Sequence, residues 1–154
     1  MNPDSKAVLI LTWGNPSRGD DALGPLCHDK LTQLKLNQVE VLTDFQLQIE
    51  HCTDLENRKL VIFVDASVSA LAPFEFSKIS PQQDQSFSSH AVSPQSLMAI
   101  CQGVNASPLP ECWLMEIRGY QFGLGEPLSN PAAENLKAAQ QAIEDFIKNK
   151  IPEC

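Results

Sequence analysis

Two kinds of apolar segment alternate along the chain. Lys6 to Trp13 (KAVLILTW) is a continuous apolar run, the pattern of a strand buried on both faces of a mainly parallel sheet. Leu23, Leu26, Cys27, Leu31 and Leu34 then recur at spacings of three and four, which predicts an amphipathic helix from Asp21 to about Leu36. Val39 to Thr43 reads as a second strand, followed by a helix whose apolar positions Ile49, Cys52 and Leu55 share one face. Lys59 to Asp65 (KLVIFVD) is a third strand and the most hydrophobic.

The alternation breaks there. Only a short connection separates Asp65 from the strand-like stretch Pro73 to Ile79, and a parallel return needs a crossover of about a dozen residues. That strand is therefore expected to run antiparallel at an edge. Ser80 to Ser93 is polar and reads as a long loop of the kind that carries function. Pro94 opens a helix with Leu97, Met98 and Cys101 as its apolar stripe, and Cys112 to Ile117 is another strand. A glycine-rich loop, Gly119 to Gly125, follows it, and Pro131 opens a last helix through about Lys148. Together these predict a single domain over residues 1–154: a three-layer αβα fold with a mostly parallel sheet of about five strands, one of them an antiparallel edge strand.

Charge narrows the class of partner. Eleven Lys and Arg against 19 Asp and Glu give a formal net charge of −8, with no basic run, so nucleic acid and anionic membranes are poor partners. The N-terminal residues MNPDSK lack the apolar stretch of a signal peptide, and the apolar runs are strand-sized, so a cytoplasmic protein is expected. The five cysteines form no C-x-x-C pair and are odd in number, which predicts reduced thiols. Cys27, Cys52 and Cys101 fall on apolar helix faces, where cysteine acts as a small hydrophobe.

Chemistry concentrates between the first strand and the first helix, in Trp13-Gly-Asn-Pro-Ser-Arg-Gly-Asp-Asp-Ala-Leu-Gly24. Gly14 and Gly19 have the glycine spacing of a phosphate loop, but Asp20 and Asp21 stand where that loop needs Lys and Ser or Thr. Two anions there oppose a phosphate and favour a cation. Asp20 is expected to cap the helix or to assist catalysis, and the helix-terminal field favours Asp21 as an ionised cation ligand or base. In a doubly wound sheet this turn shares the carboxyl edge of the strands with Asp65. An uncompensated charge at the end of so apolar a strand is costly, so Asp65 should have a specific partner. Of three histidines, His90 lies near the end of the polar loop, where it could reach the same edge. Asp21, Asp65 and His90 would offer two carboxylates and one imidazole, a set suited to a divalent transition metal with open coordination positions.

These residues, in this order, resemble the nickel-iron hydrogenase maturation endopeptidases. Gly14, Asn15, Asp20, Asp21 and Gly24 match that family's G-N-x-x-x-x-D-[DE]-x-x-G turn; Asp65 matches its strand-end Asp, and His90 its loop His. Asp44-Phe-Gln46-Leu-Gln48-Ile-Glu50-His51 further resembles the branch acting on NAD-reducing, bidirectional hydrogenases, and marks Asp44, Gln46, Gln48 and Glu50 as candidate substrate contacts. The resemblance implies removal of a C-terminal extension from a hydrogenase large-subunit precursor after nickel insertion. It implies that Asp21, Asp65 and His90 contact nickel borne by the substrate, rather than a stably held cofactor. No serine or cysteine protease signature is present, so the expected mechanism has a turn carboxylate, Asp20 or Asp21, assisting a water molecule. A nickel-checking chaperone that binds the precursor without cutting it would use the same ligands, and a small-molecule hydrolase would instead hold its own metal.

Overall fold

The computed structural model describes residues 5–83 and 92–152. The strand-like runs form β1 (Val8–Trp13), β2 (Val39–Asp44), β3 (Leu60–Ser67), β4 (Phe74–Ile79) and β5 (Glu111–Arg118). The segments of helical period form α1 (Leu23–Gln33), α2 (Cys52–Leu55), α3 (Pro94–Val104) and α4 (Asn130–Lys150). The strands make one sheet in the order β2-β1-β3-β5-β4. All neighbours are parallel except β4 and β5, as the short connection from Ser67 to Phe74 requires.

The two central strands show why their sequences are apolar throughout. Val8 and Ile10 of β1, with Leu60, Ile62 and Val64 of β3, pack into a core with α1 and α4. Leu9 and Leu11, with Val61 and Phe63, face the opposite way into a second core with α2 and α3. The sheet is thus covered on both sides, and the carboxyl ends of β1, β2, β3 and β5 meet along one edge. Each of the two later helices starts as its sequence implies. Ser93 and Ser129 accept hydrogen bonds from the backbone N–H of Ser96 and Ala132, with Pro94 and Pro131 in the first turn.

Three expectations are corrected. The first helix is shorter than predicted: Gly19–Ala22 winds as a 3₁₀ turn and α1 ends at Gln33, just before Lys35 takes a left-handed φ of +48°. The second is a 3₁₀ turn, Ile49–His51, followed by the single turn α2; Ile49 is 47% exposed and Leu47 fills the core in its place. Third, the thiols are not all reduced, because Cys52 and Cys101 form a disulfide that joins α2 to α3. Their apolar faces pack against each other, which brings the two Cα atoms to 5.2 Å. Cys27 and Cys112 remain free, and burial pushes both thiols up to about 12, so neither is a nucleophile. Among the described residues no helix is long and apolar enough to cross a membrane.

Candidate functional site at the carboxyl edge

Strand β1 delivers the chain to a turn whose glycines are dictated by contact. Gly14 has φ +149°, and a β-carbon there would run into the Asp21 carbonyl. At Gly24 a β-carbon would collide with the Trp13 carbonyl, so α1 can close onto the end of β1 only without one. The backbone N–H of Gly14 donates to the Asp44 carbonyl at 3.0 Å, tying the turn to the end of β2. Asn15 closes the turn from within: its Oδ1 accepts from Ser17 N–H at 2.9 Å, and its own N–H donates to Asp21 Oδ2 at 2.6 Å. The spacing between Asn15 and Asp21 therefore has a direct cause, since the turn folds back to hold that carboxylate.

Asp20 and Asp21 part company here. Asp20 is completely buried and accepts four hydrogen bonds, none from its own helix. Tyr120 N–H (2.7 Å) and Gln121 N–H (3.1 Å) donate from the glycine-rich loop, and Ser129 donates through both N–H and Oγ–H, each at 2.7 Å. Burial alone would raise this carboxyl, but the donors outweigh it and hold the group below the usual carboxylate range. The expected cap of the first helix is not made. Asp20 instead clips the turn to the loop after β5 and to the start of α4.

Asp65 faces the α2–α3 side of the sheet near the end of β3, in the same row as Glu116 on β5 and Glu75 on β4. Burial pushes its carboxyl up to about 7; the neighbouring Asp21 and Glu116 charges add to the effect, while Ala66 N–H, at 2.8 Å, and the Trp13 indole pull it back. Burial and Glu75 likewise raise Glu116. Among the described residues, the partner that the sequence demanded for Asp65 is thus not a cation. Asp21 and Asp65 are close enough to repel, with neither in an ion pair among the described residues, and a divalent cation between them would remove that repulsion.

His90 lies outside the described residues. Among those residues no three His, Cys, Asp or Glu side chains form a metal-ligand group. Asp44 to His51 lies along the same edge, after β2. Asp44 Oδ1 accepts from Phe45 N–H at 2.7 Å, and its Oδ2 stands 3.3 Å from His51 Nε2. His51 Nδ1 accepts from Gln48 N–H at 2.9 Å, which leaves the proton on Nε2, facing Asp44. His51 is the member of this segment to which sequence reasoning gave no role: it is buried, and it staples the segment's two ends. Gln46 and Gln48 are half-buried and Glu50 is exposed, so their side chains are reachable from solvent. Grooves lined by Lys6, Lys35 and Val39, and by Ser5, Asp54 and Arg58, lie toward the opposite ends of the strands.

No family model matches this sequence, and neither does any curated protein. Solved structures do. The HycI NiFe hydrogenase maturation protease of Thermococcus kodakarensis superposes with a TM-score of 0.73 at 23% identity, over 95% of both chains. The hydrogenase maturating endopeptidase HybD of E. coli gives 0.72 at 19% identity, over 94% of this chain and 93% of that one. The NiFe hydrogenase maturation protease HybD of Thermococcus kodakarensis gives 0.70 at 18%, over 90% and 97%. This is the hydrogenase maturation protease fold. Likeness at such identity concerns the path of the backbone, and the expected αβα architecture with its antiparallel edge strand agrees with it. Within that fold, the carboxyl edge of this chain carries Asp21 and Asp65 side by side.

Proposed function

We propose that this protein is an endopeptidase of hydrogenase maturation that removes the C-terminal extension of a nickel-loaded large-subunit precursor. The observation that carries the reading is the convergence of Asp21 and Asp65, in no ion pair among the described residues, on one edge of a hydrogenase maturation protease fold. The similar solved structures are described as proteases and endopeptidases, which supports cleavage over binding alone. The Asp44 to Glu50 segment supports a precursor of the NAD-reducing, bidirectional type, through the sequence resemblance.

In this reading nickel arrives as part of the substrate. Asp21 and Asp65, with His90 by resemblance, contact it, and the ion supplies Lewis-acid polarisation near the bond to be cut. Asn15 N–H fixes one oxygen of Asp21 and leaves the other for the edge. Of the two carboxylates expected to serve catalysis, Asp21 is therefore the one that can assist a water molecule. Asp20 is buried with its oxygens engaged by four donors, so we assign it to positioning the turn. The protein works in the same compartment as the unfinished precursor, before the hydrogenase is complete, which accords with a cytoplasmic site.

Asp21→Ala, Asp65→Ala and His90→Ala should each leave nickel-loaded precursor at full length, read by its mass after incubation. A triple variant that still shortened the precursor at the wild-type rate would remove metal recognition from the account.

A further inference from the structure

Eight large hydrophobic side chains are exposed among the described residues, and their distribution is uneven. Leu34 and Val104 sit at the C-terminal ends of α1 and α3, at the amino edge of the parallel strands. The other six, Phe45, Ile49, Val68, Leu71, Tyr120 and Leu124, lie in segments that leave the carboxyl edge, and are 44% to 72% exposed. The strand order sorts them into two banks. Phe45 and Ile49 follow β2 at one side; Val68 and Leu71 follow β3, and Tyr120 and Leu124 follow β5, at the other. The turn carrying Asp21 follows β1, so it leaves the edge between the banks, with Asp65 beside it.

Nothing in the backbone leaves these side chains exposed for want of order. Gly119 N–H donates to the Ser67 carbonyl at 2.9 Å, and Arg118 Nη1 donates to the Ala70 carbonyl at 3.0 Å while its guanidinium lies 5.1 Å from the Tyr120 ring centroid. Gly125 N–H donates to the Ser17 carbonyl at 2.7 Å, which binds the Leu124 loop to the turn. His51 holds Phe45 and Ile49 in place through Asp44 and Gln48. These are apolar groups presented to water on preorganised loops, and apolar surface held in that way marks a contact surface.

We infer that the two banks form a docking rim for a folded protein that carries a divalent cation close beneath an apolar surface. Charge complementarity fixes the occupant. The centre of the rim holds two carboxylates that no cation among the described residues neutralises, so the partner must bring positive charge there and apolar surface around it. A short polar peptide offers neither. This inference rests on the function proposed above and adds that recognition extends to the folded body of the precursor, beyond its cleaved tail.

The test uses the full chain and the nickel-loaded precursor, with binding measured by calorimetry and cleavage by mass. The double variant Phe45→Ser/Leu124→Ser takes one residue from each bank, and Leu34→Ser/Val104→Ser is its control at the opposite edge. The rim variant should raise Kd and KM at least tenfold with kcat unchanged, and the control should match wild type. Equal Kd and KM for rim variant and wild type would overturn the rim, as would a wild type that does not bind the precursor. If wild type binds through the rim but the precursor keeps its length, the rim stands and the proteolytic reading fails.

Discussion

Asp65 pays for its position in stability. Its carboxyl, raised to about 7 by burial first and by Asp21 and Glu116 second, compares with about 3.9 for a free Asp. Between pH 4 and pH 7 the folded chain keeps a proton that the unfolded chain has lost. Stability therefore falls as pH rises through that window and stays reduced above it. Asp65→Asn removes the effect, so in urea denaturation the variant should be more stable than wild type at pH 8 by about 2–4 kcal/mol. At pH 4 the two should be nearly equal. On the proposed function the same variant should lose cleavage, since the group that destabilises the free protein would be one the substrate's cation stabilises. The residue itself was readable from sequence, as a charge ending an apolar strand. Its lack of a cationic partner among the described residues was not, because that depends on which carboxylates the β3–β5 register sets beside it.

Asp20 acts at the scale of elements, where one side chain fastens the β1 turn to the loop after β5 and to α4. Asp20→Asn replaces an acceptor by an amide whose NH₂ must face at least one N–H donor. The expected loss is roughly 2–4 kcal/mol at pH 7, measured by denaturant unfolding. The sign of its pH dependence is opposite to that of Asp65. A carboxyl held below its ordinary value stabilises above the unfolded pKa and stops doing so as pH falls through the folded one, so the deficit of the variant should close in acid. Sequence reasoning placed Asp20 at the right turn but gave it a local partner, because its donors lie about a hundred residues away. The disulfide escaped for a similar reason: 49 residues separate Cys52 from Cys101, and an odd cysteine count argued against any pairing. The strands and the antiparallel edge were legible because crossover length and apolar runs are local properties, whereas these tertiary fastenings are not.

For the molecule as a whole, the two cores and the five-stranded sheet serve to bring loops from four parallel strands to one edge. On that edge an acidic centre lies between two apolar banks, in a chain whose formal net charge is −8. The turn, Asp65 and the Asp44 to Glu50 segment are all legible as candidates in the sequence. The apolar rim could not, since exposed Phe45, Leu71 and Leu124 read in sequence like any other hydrophobic residues. The central claim is cleavage of a precursor that already holds nickel. Purified protein should be incubated with the large-subunit precursor in nickel-loaded and nickel-free forms and the product masses compared. The account predicts loss of a C-terminal extension from the loaded form alone; an uncut loaded precursor, or equal cleavage of both forms, would contradict it.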